Sequence, residues 1–291
     1  MDKRKKKWGD RFDGSWVRDM DTLHVIMPHV YNRRTDSEVY AQQELDVTEL
    51  LKYLEVKNKE HPEYRTTLFH AILFGMGKLI YHRPLLNRFI AARRTYQRYD
   101  IDLAFMVKKQ FNDASEEAML RETVQADWTL DSLSQHIHDQ VKQAKGNKDN
   151  STEDTMAVLA KLPRPLLALV AKLVKTLDKF GKTPRFLWEG DINYSTVLLT
   201  NLGSIKGPAV YHHLSEYGTV SIIAAIGTLR KKPISDEAGK IVDYRDVVDI
   251  GVTLDERIAD GFYFIRSLKI LEKLLENPAL FELEIEVNID E

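Results

Sequence analysis

The chain has 291 residues, of which 43% are hydrophobic and 30% are charged, and its formal net charge is −2. This composition is typical of a folded globular protein with enough apolar side chains for one large domain or two small ones. The nearly balanced charge gives no electrostatic reason to expect a nucleic-acid partner. The absence of cysteine excludes disulfides, thiolate nucleophiles and cysteine-bound zinc.

The first 37 residues show little hydrophobic periodicity, and we predict an irregular arm there, followed by one domain over residues 38–291. The basic residues 3–7 are typical of a solvated terminus. They precede a polar run over residues 8–15, where a secretory signal would need an apolar core. No segment approaches the ~18 uninterrupted apolar residues of a membrane span. We therefore expect a cytoplasmic protein.

Alternating apolar and polar residues predict a strand over residues 38–45, and acidic residues in the segment 46–49 mark the start of a helix. Helical spacing of apolar residues predicts a second helix over residues 66–81, which Pro84 ends. Further along we predict strands over residues 89–93, 102–109 and 117–124, an amphipathic helix over 130–144 and a loop over 146–152.

The segment 162–180 has apolar residues at i, i+3, i+4 and i+7 with lysines and an arginine between them. This spacing predicts a strongly amphipathic helix. Two roles are compatible with it: a helix in the core or at a subunit interface, and a helix on an anionic membrane surface. Periodicity alone does not choose between them.

The rest of the chain predicts strands over residues 195–201, 219–226 and 241–254, with a hairpin connection over 230–239. A last helix is predicted to start at Asp260, because an aspartate is a favoured N-terminal cap. Its predicted inner face consists of Ile265, Leu268, Leu271 and Leu275.

Three sequence blocks resemble a known family. They are ELDVTELL at 44–51, LTNLG at 199–203 followed by AAIG at 224–227, and DERIADG at 255–261 with LLENP at 274–278. In this order they resemble the catalytic domain of the acyltransferase component of 2-oxoacid dehydrogenase complexes, over roughly residues 20–280. The resemblance implies an α+β fold like that of chloramphenicol acetyltransferase, with helices packed on a mixed β-sheet. It also implies a homotrimer, or a multiple of trimers, with active sites between subunits and a channel for coenzyme A.

The resemblance also implies roles for individual residues. The family's catalytic histidine takes the proton of the coenzyme A or lipoamide thiol, and a serine or threonine hydroxyl stabilises the oxyanion. Glu256 occupies the histidine's position and Thr200 that of the hydroxyl donor, with Asn201 beside it.

In the same block, Asp260 matches the aspartate that holds the catalytic loop together with Arg257. Gly261 matches a glycine that allows helix and strand to approach closely. Asp255 completes the strand-to-helix turn.

Glu256 is a poor substitute for a histidine as a base toward a thiol. An unperturbed glutamate titrates near pH 4.3 and a thiol near 8.5, so direct proton transfer is uphill by about 4 pH units, or about 6 kcal/mol. Three alternatives stay open: His212 or His213 supplies the imidazole, Glu256 activates water for thioester hydrolysis, or the protein is an inactive pseudoenzyme.

The family's full-length members carry a lipoyl domain and a subunit-binding segment, and nothing in this sequence resembles either. We therefore expect a stand-alone protein that binds or transfers acyl thioesters, with coenzyme A or acyl-coenzyme A as substrate and with no metal. The alternative is a non-catalytic trimeric scaffold, or an assembly protein that contacts a membrane surface through residues 162–180.

Overall fold

The computed structural model describes residues 6–60, 63–108, 117–146 and 159–288. In these ranges the helices are α1 (Thr22–Val30), α2 (Thr48–Glu60), α3 (Leu68–His82), α4 (Leu130–Gly146), α5 (Arg164–Lys179), α6 (Arg185–Trp188) and α7 (Gly261–Glu276). The strands are β1 (Gly14–Trp16), β2 (Glu38–Asp46), β3 (Arg88–Ala91), β4 (Arg94–Arg98), β5 (Asp102–Lys108), β6 (Glu117–Thr123), β7 (Val197–Asn201), β8 (Ile222–Ile226), β9 (Arg230–Ser235) and β10 (Ile241–Asp255).

The main sheet is mixed and has the strand order β2-β10-β8-β7-β5-β6. Strand β7 runs parallel to both β5 and β8, while the other neighbouring pairs are antiparallel. The 15-residue strand β10 pairs with β9 through its first half and with β2 and β8 through its second half. A smaller antiparallel sheet has the order β1-β4-β3.

The main core lies between one face of this sheet and helices α2, α3, α4 and α7. Alternation along β10 decides which residues enter it, because successive side chains of a strand point to opposite faces. Val248, Ile250, Val252 and Leu254 belong to this core. The intervening residues, which include Asp255, therefore point to the opposite face, where the candidate site lies.

The structure confirms the α+β fold with helices packed on a mixed sheet. The predicted strand over 38–45 and the helices over 66–81 and 162–180 are present with small shifts of their ends. The loop predicted over 146–152 lies almost entirely outside the described residues.

The prediction of an irregular arm over residues 1–37 is wrong for its described part. This part contains β1 and the helix α1, whose cap is the Asp21 side chain, which accepts the N–H groups of Leu23 and His24. The helix was missed because Pro28 lies inside it and its apolar residues are mostly exposed. Strand β4 was missed as well, since its sequence RTYQR is mainly polar.

Two predictions about helix faces need correction. Ile265 of α7 is 52% exposed, and the buried face of this helix is made instead by Phe264, Ser267, Leu271, Leu274 and Leu275. Of the roles predicted for the helix over 162–180, the core role is wrong for α5, because much of its apolar surface is open to solvent, while a subunit interface and a membrane surface stay open. Among the described residues, no helix is both long enough and apolar enough to cross a bilayer.

Candidate active site

Strand β10 ends at a rigid, buried ion pair. Asp255 is fully buried, and its two carboxylate oxygens accept hydrogen bonds from the Arg257 guanidinium at 2.7 and 2.6 Å. Arg257 also donates to the carbonyl of Tyr31 at 2.7 Å. Glu256 lies between them, half-buried, with its backbone N–H donating to the carbonyl of Ser37 at 3.0 Å. The backbone around Glu256 is therefore held from both sides.

Two roles implied by the resemblance differ from the geometry. The carboxylate that holds Arg257 is Asp255, while Asp260 is exposed and caps α7 by accepting the N–H of Tyr263 at 2.7 Å. A Cβ added at Gly261 would meet no atom within 4 Å, so close packing does not explain this glycine. Asp260 and Gly261 therefore start the helix and do not brace the loop.

Thr200 lies far from Glu256 within one chain. It is paired with Ala225 of β8, which is paired in turn with Gly251 of β10, five residues before Glu256. With about 4.8 Å between strands and about 3.3 Å per residue, the two positions are roughly 20 Å apart. Asn201 accepts an N–H of the turn that follows it at 3.2 Å. One chain alone therefore does not bring Thr200 and Glu256 together.

His213 is part of a hydrogen-bonded group that the sequence did not reveal. Its Nδ1 lies 3.1 Å from the carboxylate of Glu38, whose side chain is only 2% exposed, whereas that of His213 is 82% exposed. Glu38 also accepts the Tyr40 hydroxyl at 2.6 Å and the backbone N–H of Leu214 at 2.7 Å. A buried carboxylate therefore fixes one ring nitrogen of an imidazole that faces solvent.

These contacts also set the charge state of Glu38. Burial on its own would raise the pKa of this carboxyl group, but the hydrogen bonds from Tyr40, His213 and Leu214 lower it below the usual value of a glutamate. The hydrogen bond between Tyr40 and Glu38 also raises the pKa of the Tyr40 hydroxyl. Glu38 is therefore an ionised acceptor at neutral pH, and the contact at 3.1 Å has Nδ1 of His213 as its donor.

The group around His213 lies at the same strand end as Glu256. Glu38 is paired with Asp255 across the antiparallel β2–β10 ladder, and the preceding Ser37 accepts the N–H of Glu256. Directly opposed residues of such a ladder have Cα atoms about 4.5–5.5 Å apart. The fold therefore brings an imidazole close to the position where the resemblance leads one to expect a histidine.

Two contacts fix the segment that carries His213. A Cβ added at Gly251 would lie 2.7 Å from the carbonyl oxygen of Val210, so only glycine lets this segment cross the sheet so closely. The buried guanidinium of Arg34 donates to the carbonyls of Ser215 and Gly218 and holds the turn beyond His213. Burial lowers the pKa of Arg34.

The neighbouring His212 is exposed and makes no hydrogen bond to a described residue. The structure therefore places only His213 of the two predicted histidines at the site. Glu38 and Tyr40 were missed as site residues, because Glu38 lies 175 residues from His213 and no local pattern connects them.

Comparison with known proteins identifies similar proteins by sequence family and by fold. The family model of the 2-oxoacid dehydrogenases acyltransferase (catalytic domain) matches residues 169–283, which include Thr200, His213 and Glu256.

Several solved structures share the fold. The dihydrolipoamide acetyltransferase of Azotobacter vinelandii, studied for the roles of a serine, a histidine and an asparagine in its catalytic mechanism, is 15% identical, with a TM-score of 0.58 over 92% of this chain and 95% of that one. The cubic core of the pyruvate dehydrogenase multienzyme complex is also 15% identical, with a TM-score of 0.52 over 92% and 95%. A chloramphenicol acetyltransferase is 13% identical, with a TM-score of 0.51 over 90% and 99%.

The chain thus has the fold of dihydrolipoamide and chloramphenicol acetyltransferases, and over residues 169–283 it resembles the catalytic domain of the 2-oxoacid dehydrogenase acyltransferases.

Proposed function

We propose that this protein binds an acyl thioester of coenzyme A and transfers the acyl group to an acceptor thiol, with His213 as the base. The observation that carries the proposal is the hydrogen bond between His213 and the buried Glu38 at the strand end of Glu256. The proposal includes a cytoplasmic location, which the lack of cysteine in the sequence supports.

The chemistry follows from the unperturbed pKa values of the groups. An imidazole titrates about 2 pH units below a thiol, whereas a glutamate titrates about 4 units below, so His213 is the better acceptor of the thiol proton. The resulting thiolate attacks the acyl carbonyl and forms a new thioester bond. The bond to the old sulfur then breaks, and this sulfur takes the proton back from His213.

A second copy of the chain completes the proposed site. The oxyanion of this reaction needs a hydrogen-bond donor, and the Thr200 hydroxyl matches that role, but its position lies roughly 20 Å from that of Glu256 in the same chain by strand geometry. A neighbouring subunit of a homotrimer would supply it. The similarity to the cubic core of a multienzyme complex supports an assembly of many copies.

The experiment measures thiol release from acetyl-coenzyme A with an added dithiol acceptor. We expect His213→Asn to lower kcat by about 10²–10⁴-fold, the usual contribution of a general base, and the matched control His212→Asn to leave it unchanged. Equal effects of the two substitutions would contradict the role of His213. No thiol release and no calorimetric binding of coenzyme A at millimolar concentration would contradict the proposal altogether.

A second variant tests whether the strand end at position 256 faces the bound thioester. Glu256→His in the His213→Asn background puts an imidazole at the family's position beside the buried Asp255–Arg257 pair. We expect kcat to rise at least tenfold above that of His213→Asn alone. No increase would mean that the strand end does not face a bound thioester.

A second candidate function is attachment to an anionic membrane surface through α5. Leu169 and Leu173 are 63% and 57% exposed, and together with Leu166 and Phe180 they form an apolar stripe along this helix. Lys172 and Lys179 lie beside the stripe. An apolar stripe next to basic side chains is the pattern of helices that lie on lipid surfaces.

Flotation with vesicles of anionic phospholipid at low salt tests this second candidate. We expect the protein to float with the vesicles, and Leu169→Glu to abolish flotation without changing the circular dichroism spectrum. If the unchanged protein stays in the soluble fraction at low salt, α5 is not a membrane contact.

A further inference from the structure

A cleft with a volume of about 370 Å³ opens between α1 and the β3–β4 hairpin, on the N-terminal part of the chain. This volume is in the range of small-molecule sites. The lining includes five basic side chains and neither an aspartate nor a glutamate, although one of the five, His24, contacts the Asp21 carboxylate at 2.6 Å. These basic residues are Arg18, His24, His29, Arg93 and Arg94.

The three guanidinium groups of this cleft have no carboxylate partner among the described residues. Arg18, Arg93 and Arg94 form no ion pair with a described residue, whereas many other arginines of the chain do. The ring of Trp16 packs against two of them, with Arg94 at 4.3 Å and Arg18 at 4.7 Å from the ring centroid. Trp16 therefore holds two cations in place. Arg18 also donates to the backbone carbonyl of Trp8, whereas the guanidinium groups of Arg93 and Arg94 make no hydrogen bond to a described residue.

The backbone of Arg93 is strained. Ala91 is paired with Arg94, so Ala92 and Arg93 are the two residues of a tight hairpin turn, with φ angles of 48° and 62°. Such turns favour asparagine and glycine, because other residues are strained at positive φ. Strained residues cluster at ligand sites. An arginine in place of the favoured glycine suggests that its guanidinium has a use.

We propose that this cleft binds a small ligand that carries at least two phosphate groups. Guanidinium groups pair with phosphate oxygens through two parallel hydrogen bonds, and several of them together match more than one negative charge. The concave shape favours a small molecule over an extended nucleic acid.

This ligand chemistry has two sources, a free nucleotide and the nucleotide end of coenzyme A. A smaller pocket of about 80 Å³ shares Pro28, Ala92 and Arg93 with the cleft and extends to Arg257, next to Glu256. Coenzyme A as the ligand therefore rests on the proposed function, whereas a free nucleotide as the ligand does not.

Calorimetric titrations with inorganic pyrophosphate, ADP and coenzyme A test the proposal on the full chain and on two variants. Arg93→Gly removes the guanidinium and relieves the strain, so we expect a higher melting temperature together with a loss of phosphate affinity of about 10-fold or more. The matched variant Lys206→Gly relieves strain at another residue with positive φ, which lies outside the cleft, and we expect a higher melting temperature with unchanged affinity.

The titrations also identify the source. Binding of pyrophosphate and ADP that weakens in Arg93→Gly supports the proposal whether or not coenzyme A binds, and equally weakened binding of coenzyme A assigns the cleft to its nucleotide end. If none of the three ligands binds, the cleft is not a phosphate site. If coenzyme A binds equally well to Arg93→Gly and ADP does not bind, the cleft proposal fails while the proposed acyl transfer stands.

Discussion

Glu38 and His213 show how a single buried carboxylate can give an exposed histidine a defined chemical state. Three donors reach Glu38, and their hydrogen bonds stabilise its ionised form despite burial. A carboxylate held in this way orients the imidazole and fixes its tautomer, as it does in catalytic pairs of other enzymes. The same hydrogen bonds also stabilise the folded state as long as Glu38 is ionised.

The lowered pKa of Glu38 predicts a pH dependence of stability. Its contribution should be fully present above the unfolded-state pKa of about 4.3 and lost as the pH falls through the lower folded-state pKa. We expect the difference in unfolding free energy between the natural protein and Glu38→Gln to shrink below about pH 4. Urea unfolding over a pH series measures it, with the exposed Glu237→Gln as control. A difference independent of pH would contradict the assignment.

At the scale of elements, two glycines differ in how much space surrounds them. Gly251 lies where the segment around Val210 crosses the sheet, and Gly261 lies at the start of α7. A Cβ at Gly251 would lie 2.7 Å from the carbonyl oxygen of Val210, while a Cβ at Gly261 would meet nothing within 4 Å. The first glycine makes a close crossing possible, and the second is replaceable.

We therefore predict opposite outcomes for two alanine substitutions. Gly251→Ala should cost roughly 1–3 kcal/mol through overpacking, and it should reduce thiol release because the segment carrying His213 shifts. Gly261→Ala should leave stability within about 1 kcal/mol, or raise it, since alanine is the better helix former. Chemical denaturation and the thiol-release assay measure both. Equal stability of the two variants would show that the crossing is not tight.

Lys78 connects α3 with the C-terminal segment from inside the protein. Its side chain is fully buried and donates to the carbonyl oxygens of Leu283 and Glu284. Burial lowers the pKa of this amine to about 8. A charged lysine is therefore less favourable in the folded state than in the unfolded chain.

This lowered pKa predicts an effect on the alkaline side. The folded protein releases the Lys78 proton near pH 8, and the unfolded chain does so near about pH 10.4, so stability rises with pH between these values. We expect the stability of the natural protein relative to Lys78→Met to increase from neutral pH to about pH 10. Thermal or urea unfolding measures it, with Lys240→Met as an exposed control. A flat difference would place the pKa near its ordinary value.

For the whole molecule, the separation of Thr200 and Glu256 makes assembly a condition of the proposed acyl transfer. The two positions lie roughly 20 Å apart by strand geometry, so a site that uses both would need two subunits. In a cyclic trimer each subunit would give Thr200 to one site and His213 to another. This arrangement can be tested without knowing the natural acceptor.

We predict that two inactive variants restore each other. Thr200→Ala and His213→Asn should each be nearly inactive. In a refolded equal mixture, roughly a quarter of the interfaces should join an intact Thr200 from one subunit with an intact His213 from the next, and these interfaces should regain activity. Light scattering should give three times the chain mass of 33.7 kDa, or a multiple of it. A mixture no more active than its components would mean that each site is built within one chain.

The sequence by itself determined most of the elements and the strand-to-helix turn around Glu256. Hydrophobic periodicity and capping residues act over a few neighbours, and they located α3, α5, β10 and the start of α7. The three ordered blocks were also enough to indicate the fold, and they identified position 256 as the departure from the family pattern.

Only the tertiary structure decided which residues meet at that position. In the structure His213 contacts Glu38, which lies 175 residues away in the chain. The carboxylate that pairs with Arg257 is Asp255 and not Asp260. Thr200 and Glu256 are far apart within one chain. Ile265 and the apolar stripe of α5 are exposed. The reason is physical: strand register and packing set these distances, and both depend on contacts between residues far apart in the chain, which local sequence patterns do not encode.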